Sequence, residues 1–216
     1  MGAGALATRT PSMRIFKKII SIIALSLTLS ACATTPPSNL SNICTIFYEK
    51  EDWYSATLDA QKKWGTPIFV QMAIIHQESK FESDVRPPRD WVLGIIPLPR
   101  SSSAYGYGQA QDSTWDWYMK STGNWGADRD DFDDVADFIG WYTNVSQRKL
   151  SISKWNAEKQ YLAYHEGHGG YKRGSYRKKP WLMRVAKKVS SRSKTYSAQL
   201  KKCESSLNSG WSLWPF

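Results

Sequence analysis

Apolar residues recur at helical spacing along most of the chain. Ile68, Met72 and Ile75 form one stripe, and Val70, Ala73 and Ile74 fill the rest of the same segment. A helix apolar nearly all round belongs at the centre of a fold. Thr66-Pro67 opens it and Glu78-Ser79 stands near its end. Upstream, Trp53, Ala56, Ala60 and Trp64 predict a helix over Asp52 to Trp64, closed by Gly65 and preceded by a short amphipathic start from Asn42 to Lys50. Downstream, Asp112 or Ser113 caps a helix through Trp115 to Met119 that stops at Gly123. Asp133 or Asp134 caps another through Ile139 and Trp141 to about Leu150. Ser153 starts one through Tyr161 to Tyr164, and Trp181 to Leu200 reads as a last amphipathic helix. Two stretches break the pattern. Residues 82–103 hold Pro87, Pro88, Pro97, Pro99 and the run Ser101-Ser102-Ser103, and Gly167 to Gly174 holds four glycines. Long loops in compact domains are usually functional or mobile. No internal repeat occurs, and no alternation is strong enough to predict a sheet. The pattern predicts a mainly α, single helical domain with one long loop.

The first residues follow a different logic. Met13 to Ala31 carries a basic start (Arg14, Lys17, Lys18), an apolar run from Ile19 to Leu29, and small residues before Cys32. The run is too short to span a bilayer and reads as an export signal. Small residues directly before a Cys resemble a bacterial lipobox, in which Cys32 is lipidated and heads the mature chain. The alternative is a plain signal peptide followed by a chance Cys. Residues 1–12 add nothing to this signal, so Met13 is the expected alternative start. Ala33, where an Asp would suggest inner-membrane retention, leans toward the periplasmic face of the outer membrane, with the lipid on Cys32 as the membrane contact. The expected division is residues 1–31 signal, 32–41 lipidated Cys and tether, 42–204 domain and 205–216 tail.

Charge then has to be located. The 216 residues carry 29 Lys+Arg and 19 Asp+Glu, a net +10. Four of the basic residues lie in 1–31, leaving 25 against 19. Residues 154–202 hold 14 basic and 2 acidic residues, whereas 45–153 hold 11 and 16. The basic excess is one C-terminal region and partly the solvated face of its helix. With export and no nucleic-acid motif, no nucleic-acid partner is expected. Cys44 and Cys203 lie at opposite ends of the domain. An oxidising compartment favours a disulfide between them over two free thiols, and two Cys without CxxC spacing make no zinc cage. No metal and no cofactor is expected.

Three blocks carry candidate chemistry. Glu78-Ser79-Lys80-Phe81 puts a carboxyl at the C-terminal end of the most apolar helix. There burial and the negative end of the helix dipole both raise its pKa, as a general acid requires. A surface Glu at a fraying helix end is the plainer reading. Ala104-Tyr105-Gly106-Tyr107-Gly108-Gln109 offers glycines for close backbone approach and Tyr and Gln for a polyol. Ala163-Tyr164-His165-Glu166-Gly167 ends a helix. His76-Gln77-Glu78 lacks the PCxxC of zinc deaminases, His165 to His168 has the wrong spacing for HExxH, and Asp128 to Asp137 does not fit the EF-hand template.

In this order the three blocks resemble the soluble lytic transglycosylase family, the goose-lysozyme-like peptidoglycan cleavers, over about Trp53 to Val189. Glu78-Ser79-Lys80-Phe81 matches the family's Glu-Ser-x-Phe, and Ala104 to Gln109 stands where it has Ala-x-Gly-Leu-Met-Gln. Thr114 matches a following Thr, with Asp112 in place of a usual Pro, and Ala163 to Gly167 stands where the family has Ala-Tyr-Asn-Ala-Gly. The resemblance implies an α+β lysozyme-like fold and cleavage of the MurNAc-β-1,4-GlcNAc bond with a 1,6-anhydro end. It implies Glu78 as acid and then base, Tyr164 orienting it by a hydrogen bond, and Gln109 with the 106–108 backbone holding sugar groups. Ser79, Tyr107 and Glu166 are counted with the substrate-binding residues. Trp91 is added because 86–100 is extra and is expected to overhang the cleft. Trp115 and Trp117 are further sugar-stacking candidates. Glu166 is either a second carboxylate, giving a lysozyme-type hydrolase, or a surface Glu. A non-catalytic peptidoglycan-binding lipoprotein is the remaining rival. The loop after Tyr164, with Lys172, Arg173 and Arg177, is expected to meet carboxylates of the substrate.

Overall fold

Glu51–Trp64 (α2) and Phe132–Leu150 (α5) pack face to face because each carries one aromatic side. Trp53 of α2 stacks on Phe132 of α5 at 3.9 Å between ring centroids. A computed structural model describes residues 35–93 and 95–209, which belong to one unit of the chain. Around this pair lie α1 (Ile43–Glu49), α3 (Ile68–Ser79), α4 (Asp112–Thr122), α6 (Ala157–Arg173) and α7 (Pro180–Asn208). A 3-10 turn, Ser175–Lys178, joins α6 to α7. Helix α3 occupies the centre. It touches α2, α5, α6 and α7, and nine of its twelve residues are buried, from Ile68 to Ser79. Its one internal amide, Gln71, donates to the carbonyls of Thr57 and Thr66, so the adjoining helix end is tied to it.

The helix ends follow local chemistry with small shifts from expectation. Asp131, two residues ahead of the expected cap, accepts from the amides of Asp133 and Asp134 and so starts α5. Asn156 rather than Ser153 caps α6, accepting from Lys159 N. Gly65, Gly123 and Gly174 close α2, α4 and α6 in the left-handed conformation that glycine adopts at little cost. Helix α7 runs past Leu200 to Asn208, so part of the expected tail is helix.

Two expectations are corrected. The glycine-rich stretch from Gly167 is not a loop. Helix α6 breaks at Gly167 (φ 69°, ψ 159°) and resumes to Arg173. Packing overrides propensity here, because His168 stacks on Tyr142 at 4.5 Å and its Nε2 meets Ser146 Oγ at 2.9 Å. The long loop also contains strands. Trp91–Val92 (β1) and Ile96–Pro97 (β2) pair antiparallel, Trp91 opposite Pro97 and Val92 opposite Ile96. Two residues per strand are too few for alternation to show in a sequence.

The two ends of the domain are locked together as expected. Cys44 and Cys203 form a disulfide across 159 residues. Beside it Gln199 Oε1 accepts from Ile43 N, Gln199 Nε2 donates to Ser41 O, and the Tyr196 hydroxyl donates to Leu40 O. The signal, Cys32 and the end of the tail beyond residue 209 lie outside the described residues. Closing so long a loop constrains the unfolded chain by up to about 5 kcal/mol in the entropy model. We expect Cys203→Ser to cost about 2–5 kcal/mol of unfolding free energy in urea denaturation, with the helical signal of the folded protein unchanged.

Candidate active site

Glu78 leaves the last turn of α3, where every preceding residue from Ile68 except Phe69 and Gln77 is buried. Helix carbonyls end there and disfavour a second negative charge. The side chain is half-buried overall, but its Oε1 is sealed from solvent and accepts no hydrogen bond. Burial pushes the Glu78 carboxyl up to about 7, against an opposing pull from the Tyr161 hydroxyl and from Lys80. A carboxyl at that value is present in both protonation states near neutral pH, which suits proton donation followed by proton uptake.

The chain after Glu78 is held just as firmly. Lys80 and Phe81 both take left-handed φ, +57° and +65°. Ser79 Oγ accepts from Phe81 N at 3.1 Å and donates to Ile75 O at 3.4 Å, which bridges the helix to that turn. Phe81 is then buried against Trp53 and His76. Ser79 is itself buried and does not line the cleft, so its part is to shape the turn beside Glu78 rather than to touch substrate.

Facing Glu78 is the tight loop closed by the bridge of Tyr105 with Ala110. Gln109 sits at φ +46°, and its Nε2 donates to Val85 O at 2.8 Å and Gly106 O at 2.9 Å. Arg129 braces the loop from behind, donating to Ser103 O and Ala110 O while pairing with Asp112 at 2.8 Å. Gly106 has φ +76°, and a Cβ there would stand 1.9 Å from Arg129 O. Gly108 has Tyr164 Oη 3.2 Å from the place of a Cβ. The loop is therefore a backbone surface pressed onto its neighbours. Tyr107 points the other way. It is 1% exposed, edge-on to Trp53 and Phe132 in the core, and so forms no wall of the cleft. The left-handed turn that presents Gln109 drives Tyr107 inward.

Helix α6 brings the third group. Tyr164 donates its hydroxyl to Gly108 O, so it ties α6 to the loop and does not hydrogen-bond Glu78 as expected. The residue beside the Glu78 carboxyl is Tyr161, one turn earlier and outside the three motif blocks. The signal was available, since Tyr161 and Tyr164 share a helix face at i, i+3. Burial and the nearby Glu78 raise both phenols well above their ordinary value, so both remain donors.

Glu166 is neither a surface residue nor a free acid. Its side chain is 4% exposed and lines the cleft. Its Oε1 accepts from Lys179 Nζ at 2.7 Å and meets His165 Nδ1 at 3.2 Å, and Ser175 donates to Oε2. Burial pushes its pKa up, but the contacts to Lys179, Ser175 and His165 prevail and lower it. Gly170 lies beneath, 3.1 Å from Glu166 Cβ measured from the place of its own Cβ, so the break at Gly167 folds the rest of α6 under this pair.

These groups line a cavity of about 470 Å³. It brings together Glu78, Gln109, Thr114, Tyr164 and Glu166 but not Ser79, Tyr107, Trp91 or Trp115. Trp91 lies on the hairpin and is 56% exposed, and among the described residues none of 86–100 lines the cavity, so the expected overhang of the cleft by Trp91 is not seen there. Trp115 is buried and donates to Ala127 O. Lys172, Arg173 and Arg177 are exposed and outside the lining, and Lys179 reaches it only through Glu166. Among the described residues no group of His, Cys, Asp and Glu could hold a metal ion. We expect Gly106→Ala to displace the Gln109 loop and to lower any activity of the cleft more than tenfold, while helical content measured by circular dichroism is kept.

Neither the curated proteins nor the solved structures contain a match to the chain. The family model described as the Transglycosylase SLT domain matches residues 20–203, nearly the whole of the chain that carries the helices and the cleft. The chain therefore belongs to the Transglycosylase SLT domain family, whose activity is of the peptidoglycan-cleaving transglycosylase type.

Proposed function

We propose that the chain is a peptidoglycan lytic transglycosylase. It cleaves the MurNAc-β-1,4-GlcNAc bond and leaves a 1,6-anhydro-MurNAc end. The observation that carries this reading is a cleft holding one carboxyl poised near neutrality and a second one already committed. Glu78 has a pKa of about 7, whereas Glu166 is occupied by Lys179, Ser175 and His165.

In the first step Glu78, protonated, gives its proton to the leaving glycosidic oxygen. The substrate's acetamido group assists at the anomeric carbon. Glu78, now ionised, takes the proton of the 6-hydroxyl, and that oxygen closes on the anomeric carbon. One carboxyl serves both steps, so the paired-carboxylate spacing of most glycosidases is not needed. The Tyr161 hydroxyl stabilises the ionised state between them. Exclusion of water by the cleft favours ring closure over hydrolysis. Glu166 keeps Lys179 and the segment after Gly167 in place. We further propose that Cys32 is lipidated and that the enzyme works at the periplasmic face of the outer membrane. The support for this is the sequence of 13–32 and the oxidised Cys44–Cys203 pair.

The lysozyme-type alternative needs a carboxylate free to act on a water or on the anomeric carbon. The three partners of Glu166 argue against it. A non-catalytic wall binder would have no use for the raised pKa of Glu78.

Glu78→Gln removes the transferable proton while keeping the shape. We expect cleavage of purified peptidoglycan to fall by about 10²- to 10⁴-fold, read by mass spectrometry of the released ends. Anhydro ends from the native protein support the reading, and reducing ends or no products count against it. The pH dependence has a definite sign. Burial raises the Glu78 pKa, so the competent acid is lost as pH rises through about 7, and the rate should fall on that alkaline limb. The same shift makes the folded state favour the protonated carboxyl. Its stabilising effect is complete below pH 4.5 and lost by about 7. Glu78→Gln should therefore raise the melting temperature relative to native at pH 8 and change it little at pH 4.5.

A further inference from the structure

A second cavity, of about 510 Å³, lies along α4 and α5 beyond the catalytic one. Trp64, Trp117 and Trp141 line it, with Arg148 and Lys149 at its edge. The two cavities share their walls. On α4, Thr114 belongs to the first and Trp117 and Ser121 to the second; on α5, Phe138 and Tyr142 belong to the first and Trp141 and Val145 to the second. Spacings of three and four residues place each set on one continuous helix face. At 1.5 Å per residue Trp141 and Val145 lie about 4.5 Å further along α5 than Phe138 and Tyr142, and Arg148 and Lys149 carry the second site onward.

An unbroken file of aromatic rings joins them. Tyr164 lies 5.1 Å from Tyr142, Tyr142 lies 4.5 Å from His168, His168 lies 5.8 Å from Trp117, and Trp117 lies 4.6 Å from Trp141. Burial, with Lys149 nearby, lowers the His168 pKa to about 4, so this link is uncharged at neutral pH. Trp117 and Trp64 keep part of their indoles open, while Trp141 is the buried floor. Lys149 Nζ stands 4.6 Å over the Trp117 ring, and Lys63 Nζ stands 4.9 Å over that of Trp64. Lys63 is already paired with Asp137 at 2.9 Å, and neither Arg148 nor Lys149 has a salt-bridge partner within 4.0 Å among the described residues. The exposed parts of these two indoles suit the C–H groups of a sugar, and two cations without an acidic partner beside them suit a carboxylate.

We propose that this groove binds a carboxylate-bearing stretch of the same polymer, the sugar on Trp117 and Trp64 and the carboxylate of a peptide stem on Arg148 and Lys149. It would hold the strand beyond the cleavage point and favour strands that still carry their stems. The proposal rests on the peptidoglycan reading of the catalytic cleft.

The test uses the full chain carrying Glu78→Gln, so that binding is read without cleavage. Sedimentation with purified walls is compared for this protein and for Arg148→Glu/Lys149→Glu added to it. Both of those positions are exposed, so the substitutions spare the core. We expect binding to stem-bearing walls to weaken about tenfold and binding to glycan strands stripped of their stems to change less than twofold. Trp117→Ala should weaken both. In the Glu78 form, Arg148→Glu/Lys149→Glu should leave the rate on a fragment too short to reach the groove within twofold of native. Unchanged binding of stem-bearing walls by the double variant would overturn the groove while leaving the enzymatic reading intact. Failure of the native protein to cleave any wall would overturn the enzymatic reading and the groove's role in it.

Discussion

The structure depends on keeping one carboxyl at the end of an apolar helix. A charge on Glu78 is opposed by burial and by the carbonyl end of α3. That arrangement needs α3 walled on every side, which α2, α5, α6 and α7 provide. It also needs the chain to leave the helix abruptly, before solvent can enter. Two consecutive left-handed residues and the buried Phe81 achieve this. The cost of the conformation is borne by packing, since Phe81 makes ring contacts with Trp53 and His76. Function and core are here the same structure. Weakening the contacts of Phe81 would admit water to the carboxyl and return it toward an ordinary acid.

His76 illustrates the same constraint from the other side. It is 5% exposed, and its Nδ1 is buried without a partner. Burial, with Arg192 and Lys80 nearby, lowers its pKa to about 3. It therefore stays neutral where Glu78 titrates and adds no charge to the helix end. Lys179 and Glu166 solve the charge problem differently, by pairing within the cleft wall. The wall thus carries an ion pair whose charges cancel, leaving Glu78 to decide the local potential.

Much of this was legible in the sequence. The apolar periodicity around Ile68 to Ile75 announced a buried helix, and the position of Glu78 followed from where that period stops. Cys44 and Cys203 were legible as a pair, because only two cysteines remain in the domain. Other features were not, because they depend on contacts far apart in the chain. Tyr107 and Ser79 sit inside recognisable motifs, yet backbone turns direct them into the core, and a motif does not reveal which way its turn faces. Lys179, the cation paired with Glu166, lies thirteen residues on, past a glycine break. Gly167 to Gly174 looked like a loop because local propensity ignores the stacking of His168 on Tyr142. Trp64 packs so closely on α5 that a Cβ at Gly140 would stand 2.7 Å from its ring, a contact between distant segments that helical periodicity does not show.

The disulfide has a mechanical meaning. Residues 40–44 are bound to α7 by three hydrogen bonds and the Cys44–Cys203 bridge. Any tension applied through the segment before Leu40 enters α7 directly. It bypasses α3, the Gln109 loop and the Gly167 break, which lie between the two cysteines in the chain. A protein tethered at that end and pulling against a stiff polymer would carry the load along α7. The catalytic groups would stay in register while the tether is taut.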